Sequence, residues 1–98
     1  MTVSVIGFYR GGKVEDVTPL ATRMKAILLR HGVDYQVNRF QTGENVGDWL
    51  VIVRYADWMA YAKGQTSIAH DAEHRQLVTE ISEAVTLIRR ELVEDLDL

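Results

Sequence analysis

From Gly47 to Asp57 the chain reads Gly-Asp-Trp-Leu-Val-Ile-Val-Arg-Tyr-Ala-Asp, with its apolar positions running together instead of alternating. As a strand, this stretch turns Trp49, Val51, Val53 and Tyr55 to one face and Leu50, Ile52 and Arg54 to the other. Both faces are largely apolar and both need cover, which predicts a central strand. Asp57, a good N-cap type, then introduces a helical pattern.

The flanking patterns fill in the rest. Residues 2–10 read as a first strand, ended by the turn-forming Gly11-Gly12-Lys13. Thr18 as N-cap and Pro19 at the first helical position predict a helix over 19–31. Leu20, Met24, Ile27 and Leu28 form its buried stripe, and Gly32 is its stop. Residues 34–42 predict a more polar strand, suited to an edge or a wet cavity, and residues 43–47 a hairpin loop. A four-residue loop pairs Phe40 with Trp49 and Asn38 with Val51; a three-residue loop pairs Arg39 with Val51. One residue of slip thus decides whether Asn38 or Arg39 shares a face with the aromatics. Beyond Asp57 the pattern predicts a short helix over 57–63 and a longer one over 67–81, with Gly64 weakening the join. Residues 84–93 form the last strand, and the acidic-aliphatic tail follows.

The order β-α-β-β-α-β is the split βαβ arrangement of an α+β, ferredoxin-like protomer, a four-stranded antiparallel sheet with its helices on one face. The helices leave the second sheet face without cover, and that face is also apolar. A second copy of the chain placed against it removes the exposure, so a homodimer is expected.

Composition narrows the function classes. The 98 residues suit one domain, with 47% apolar and 26% charged residues. A net charge of −3 without a basic stripe argues against nucleic-acid and anionic-membrane surfaces. The absence of cysteine excludes a disulfide scaffold and thiolate chemistry. No leader-like segment and no apolar run near the ~20 residues of a membrane helix is seen, so a cytoplasmic protein is expected.

Candidate chemistry is sparse. His70 and His74 stand four apart, but Asp71 as an N-cap puts His70 outside the helix and breaks a shared metal-binding face. No metal site is expected. No histidine falls on a strand, so none is expected in a cavity. Ser4, Ser67 and Ser82 have no evident base partner. Phosphate-loop, dinucleotide and nucleophile-elbow motifs are missing. Arg39, Arg54, Arg89 and Arg90 fall on strands, where they can bind an anion or pair with Glu91, Glu94 or Asp95 at the rim. Trp49 and Tyr55 share one face of the central strand, and Tyr9 can join them.

The whole-chain organisation resembles the dimeric α/β-barrel superfamily, nearest to its NIPSNAP-like and antibiotic-biosynthesis-monooxygenase-like members. The residues carrying the resemblance are Gly12, the Gly43/Gly47 hairpin, Tyr55-Ala56-Asp57, Ala60-Tyr61-Ala62, and Asp71-Ala72-Glu73 before Leu77. It implies a dimeric α/β barrel in which two sheets face each other. It further implies a small-molecule-binding protein or cofactor-independent, monooxygenase-like enzyme, with an apolar or aromatic ligand in a cavity between sheet and partner. On this resemblance Tyr9, Asn38, Arg39, Trp49 and Tyr55 are the expected ligand-binding residues, with no cofactor and no assigned catalytic group. The alternative is a non-enzymatic homodimer acting through protein contacts or metabolite binding.

Overall fold

The chain alternates strands and helices in the computed structural model, which describes Met1–Leu98. The elements are β1 (Val3–Arg10), α1 (Val14–Arg30), β2 (Asp34–Arg39), β3 (Trp49–Tyr55), α2 (Trp58–Ala69), α3 (Ala72–Ala84) and β4 (Thr86–Glu94). They build one antiparallel sheet in the order β2-β3-β1-β4, the ferredoxin-like arrangement, with β3 and β1 central as the apolar runs require.

Helix boundaries differ from the sequence expectation in two places. α1 starts at Val14, not after Thr18, with Lys13 at the cap position and Glu15 and Asp16 favourably placed against the helix dipole in the first turn. Pro19 therefore lies inside the helix and denies a hydrogen bond to an exposed stretch of backbone. Gly64 does not break α2, which runs on to Ala69. It is buried against β3, and a Cβ there would stand 2.7 Å from Tyr55 Cε1, so the glycine lets the helix approach the sheet. Asp57 and Asp71 cap as expected, accepting from the backbone N–H of Ala60 (2.7 Å) and of His74 (3.1 Å).

The hairpin between β2 and β3 takes neither expected register. Phe40 N–H donates to the Asp48 carbonyl (3.0 Å) and Gly47 N–H to the Phe40 carbonyl (2.9 Å). Gly47 and Asp48 thus both oppose Phe40, a bulge made possible by the positive φ of Gly47, 88°. Arg39 pairs with Trp49, Asn38 with Leu50 and Val37 with Val51.

The core lies between the sheet and the helices. Val3, Tyr35 and Tyr55 meet Met24, Ile27 and Leu28 of α1, Ile68 of α2 and Leu77 of α3. Ile6, Phe8, Leu50 and Ile52 occupy the opposite sheet face, outside this cluster and without a helix over them. Only 13 of 98 residues are buried, and the accessible surface is 6324 Å². A folded monomer of 11.1 kDa should expose about 5,650 Å². The molecule is a slab of 36 × 35 × 18 Å, one wide face of which is bare sheet.

Candidate functional site

Under the helices the sheet does not close fully against them. A cavity of about 750 Å³ opens between the Trp49 face of the sheet and the inner sides of α1, α2 and α3. Its floor is aliphatic, with Val5, Val37, Val51 and Val53 as its main members. Large aromatics stand at the two ends of β3, with the smaller valines between them. One is Trp49, whose indole N–H donates to the Gly11 carbonyl (2.7 Å). The other is Tyr55, which packs edge-on against Tyr61 with ring centroids 5.2 Å apart.

The polar groups on the wall are few. Gln65 Nε2 donates to Tyr55 Oη at 3.2 Å. Burial raises the Tyr55 hydroxyl pKa above the usual phenol value, and burial does the same more strongly for Tyr35. Both phenols stay protonated at neutral pH. His74, in the first turn of α3, also lines the cavity. Burial lowers its imidazole pKa below the ordinary value; Asp71 opposes the shift and His31 adds to it.

The expected ligand residues therefore divide. Tyr9, Trp49 and Tyr55 lie together on the cavity wall. Asn38, opposite Leu50, is on the uncovered sheet face, where it accepts from Gln36 Nε2 (3.0 Å). Arg39 is exposed and stacks on Trp49 at 5.1 Å from the ring centroid, outside the cavity wall. The space also lies under the chain's own helices, and not between the sheet and a partner as the resemblance implied. The parity that carries the aromatics is the one the crossovers turn toward the helices. The sequence places no histidine on a strand, and His74 reaches the cavity from α3 instead, whose phase the N-cap at Asp71 fixes.

Of the five strand arginines only Arg90 lines the cavity. Arg54 reaches Asp34 (3.6 Å) and Gln36 Oε1 (2.9 Å), and Arg89 reaches Glu91 (3.3 Å) while lying 3.8 Å over the Phe8 ring. Arg10 forms a two-pronged pair with Asp48, both contacts 3.1 Å. This pair holds the Asp48 carboxyl below the usual carboxylate range.

Ser67 does have a base partner, contrary to expectation. His31 bridges Ser67 Oγ (2.6 Å) and Asp71 Oδ2 (2.7 Å) through its two ring nitrogens. The chain has the order of a hydrolytic triad, yet Ser67 sits in the last turn of α2, where backbone carbonyls and not N–H donors are free. It joins three helices instead. No three His, Asp or Glu side chains are grouped to hold a metal ion, and no helix is long and apolar enough to cross a membrane.

No protein-family model matches the sequence, and neither does any curated protein. Solved structures do match in fold. SnoaB, a cofactor-independent oxygenase from Streptomyces nogalater, has a TM-score of 0.74 at 13% identity, over 96% of this chain and 92% of that one. A NIPSNAP family protein from Agrobacterium tumefaciens has a TM-score of 0.72 at 15% identity, over 100% and 96% of the two chains. An uncharacterised NIPSNAP domain protein from Burkholderia xenovorans reaches 0.70 at 16% identity, over 95% and 90%. The chain shares its whole fold with these proteins, as the sequence resemblance implied.

Proposed function

We propose that this protein takes up a small apolar or aromatic molecule in the cavity beneath its helices and acts on it without a cofactor. The observation that carries the reading is the cavity itself: about 750 Å³, walled mainly by aliphatic and aromatic side chains, with a handful of polar groups at its margins. That is the make-up of a ligand pocket, in which apolar walls supply affinity and sparse polar atoms fix orientation. The fold shared with a cofactor-independent oxygenase supports a monooxygenase-like activity, and the lack of cysteine supports a cytoplasmic setting.

The working form is a homodimer closed across the bare sheet face. Ile6, Phe8, Leu50 and Ile52 on that face are each worth about 1.5–3 kcal/mol when fully buried, against a net domain stability of about 5–15 kcal/mol. The bare face runs across all four strands of the sheet, in the order β2-β3-β1-β4, on a molecule 36 × 35 Å across its wide side, and an ordinary stable interface takes ~800 Å² per partner. Its charges are already matched within the chain, Arg10 with Asp48, Arg54 with Asp34 and Arg89 with Glu91. A second copy can therefore cover it without burying an unpaired ion.

Fluorescence tests the ligand reading. In a Trp58→Phe background, 2-naphthol is titrated against Trp49 emission. The expected result is saturable quenching that is lost when Val51→Phe fills the cavity floor without adding a second indole. Absence of quenching, or quenching indifferent to Val51→Phe, overturns the reading.

A further inference from the structure

We propose that Ser67 is a self-acylating site: an exposed nucleophile, activated by His31 and Asp71, that takes the acyl group of an acyl phosphate. Ser67 lies outside the cavity wall, so the inference stands apart from the ligand reading above.

Six serine and threonine hydroxyls stand on the helices, and five of them are used in the ordinary way. Thr18 donates to the Val14 carbonyl, Thr22 to Thr18, Thr66 to Ala62, Thr79 to Arg75 and Ser82 to Thr79. Such back-bonding to the same helix is what these side chains do by default. Ser67 alone turns to an imidazole, with Oγ 2.6 Å from His31 Nδ1, and it faces solvent.

The direction of that bond is set at the other end of the ring. Asp71 Oδ2 stands 2.7 Å from His31 Nε2. The Asp71 carboxyl is held below the usual carboxylate range, by His31 first and then by the His74 backbone N–H, so it is ionised and only accepts. In the neutral imidazole the proton therefore sits on Nε2, and the lone pair of Nδ1 faces Ser67. Ser67 Oγ donates its hydrogen to that lone pair and keeps its own lone pairs for an electrophile. Asp71 is fixed in turn as the cap of α3, accepting from the His74 N–H (3.1 Å). The base and its orienting carboxylate are sheltered, their side chains 17% and 15% exposed, while the nucleophile is open.

The surroundings set the class of donor. In the last turn of α2 the backbone N–H groups are spent inside the helix. An unactivated ester or amide, whose tetrahedral oxyanion needs such donors, is out of reach. An acyl phosphate carries a good leaving group and needs less help. Lys63, exposed one turn earlier on the same side of α2, offers a cation to its phosphate. Ser67 Oγ bonds to the acyl carbon, and the bond from that carbon to the phosphate oxygen breaks. Phosphate leaves with the electron pair, and the hydroxyl proton moves to His31 Nδ1. The product is an ordinary ester, which the missing donors leave slow to hydrolyse. The outcome is a marked chain, without turnover.

The test is incubation of the full chain with acetyl phosphate at pH 7, then trypsin and fragment mass spectrometry of peptide 64–75, which holds both Thr66 and Ser67. An acetyl ester should accumulate on Ser67 and not on Thr66. His31→Gln should slow it about a hundredfold, the low end of what a positioned base contributes. Asp71→Asn keeps a cap of equal quality, but its amide no longer fixes the proton on Nε2, so labelling should slow comparably. A cluster that only joins helices would not answer to the tautomer. Label absent from Ser67, equal on Thr66, confined to Lys63, or formed at the parent rate in either folded variant overturns the assignment. Circular dichroism shows which variants fold. If one unfolds the other decides; if both unfold, the cluster is a structural joint and the assignment fails.

Discussion

Gly64 of α2 lies flat against the ring of Tyr55: a methyl group at Gly64 would come within 2.7 Å of Tyr55 Cε1 and 3.2 Å of Cδ1. Tyr55 cannot swing away, since it is only 4% exposed, packed edge-on against Tyr61 and bonded to Gln65. The helix-weakening residue is therefore what sets the spacing of α2 above one end of the cavity.

Gly64→Ala should accordingly destabilise the protein even though alanine is the better helix former. Overpacking a tight contact costs about 1–3 kcal/mol, against a propensity gain of about 1 kcal/mol. Urea unfolding followed by circular dichroism measures the balance. A variant more stable than the parent would mean that the contact relaxes freely.

The Arg10–Asp48 pair gives a pH dependence of known sign. Arg10 lowers the Asp48 carboxyl in the folded chain, so the unfolded chain takes up this proton first on acidification. The contribution is complete above the ordinary carboxylate range, near pH 4, and drains away as pH falls through that range toward the lowered value. Asp48→Asn should melt below the parent at pH 7, and the gap should narrow steadily in acid. A gap of constant size between pH 7 and pH 2.5 would contradict this.

Ile52, paired with Ile6 at the middle of the bare sheet face, tests the dimer. Sedimentation equilibrium at micromolar concentration should give twice the chain mass for the parent and a large single-chain fraction for Ile52→Lys. A well-folded parent of single-chain mass would refute the arrangement.

Metal should be dispensable. With no clustered His, Asp or Glu, the melting temperature should be the same with and without excess EDTA, and a drop on chelation would reveal a site.

The sequence was legible where two signals agreed. β3 and β1 were marked by apolar runs, and Asp57 and Asp71 were marked by cap chemistry and by the helical pattern that follows. Trp49 and Tyr55 shared a face because strand parity is strict. Asn38 and Arg39 were not legible, because their face depends on a bulge at Gly47 that one residue of loop length can add or remove. Gly64 misled because propensity is local and the contact with Tyr55 is tertiary. His74 is not legible from strand parity or cap chemistry, because it reaches the space between α3 and the sheet, which no periodicity describes.

The position of β1 in the middle of the sheet sets an order of events in folding. Val3 pairs with Tyr55 on one side and with Glu94 on the other. The β2–β3 hairpin and the three helices form from neighbours in sequence, but the β1–β4 ladder joins nearly the two ends of the described chain. Long-range pairing of this kind is entropically slow, so the sheet should close last, at the β4 edge, on the millisecond-to-second scale. Leu92→Ala on β4 should then speed unfolding much more than it slows refolding in stopped-flow measurements; the reverse would place β4 in the nucleus. Until β4 arrives, one edge of the apolar strand β1 stands open to other chains.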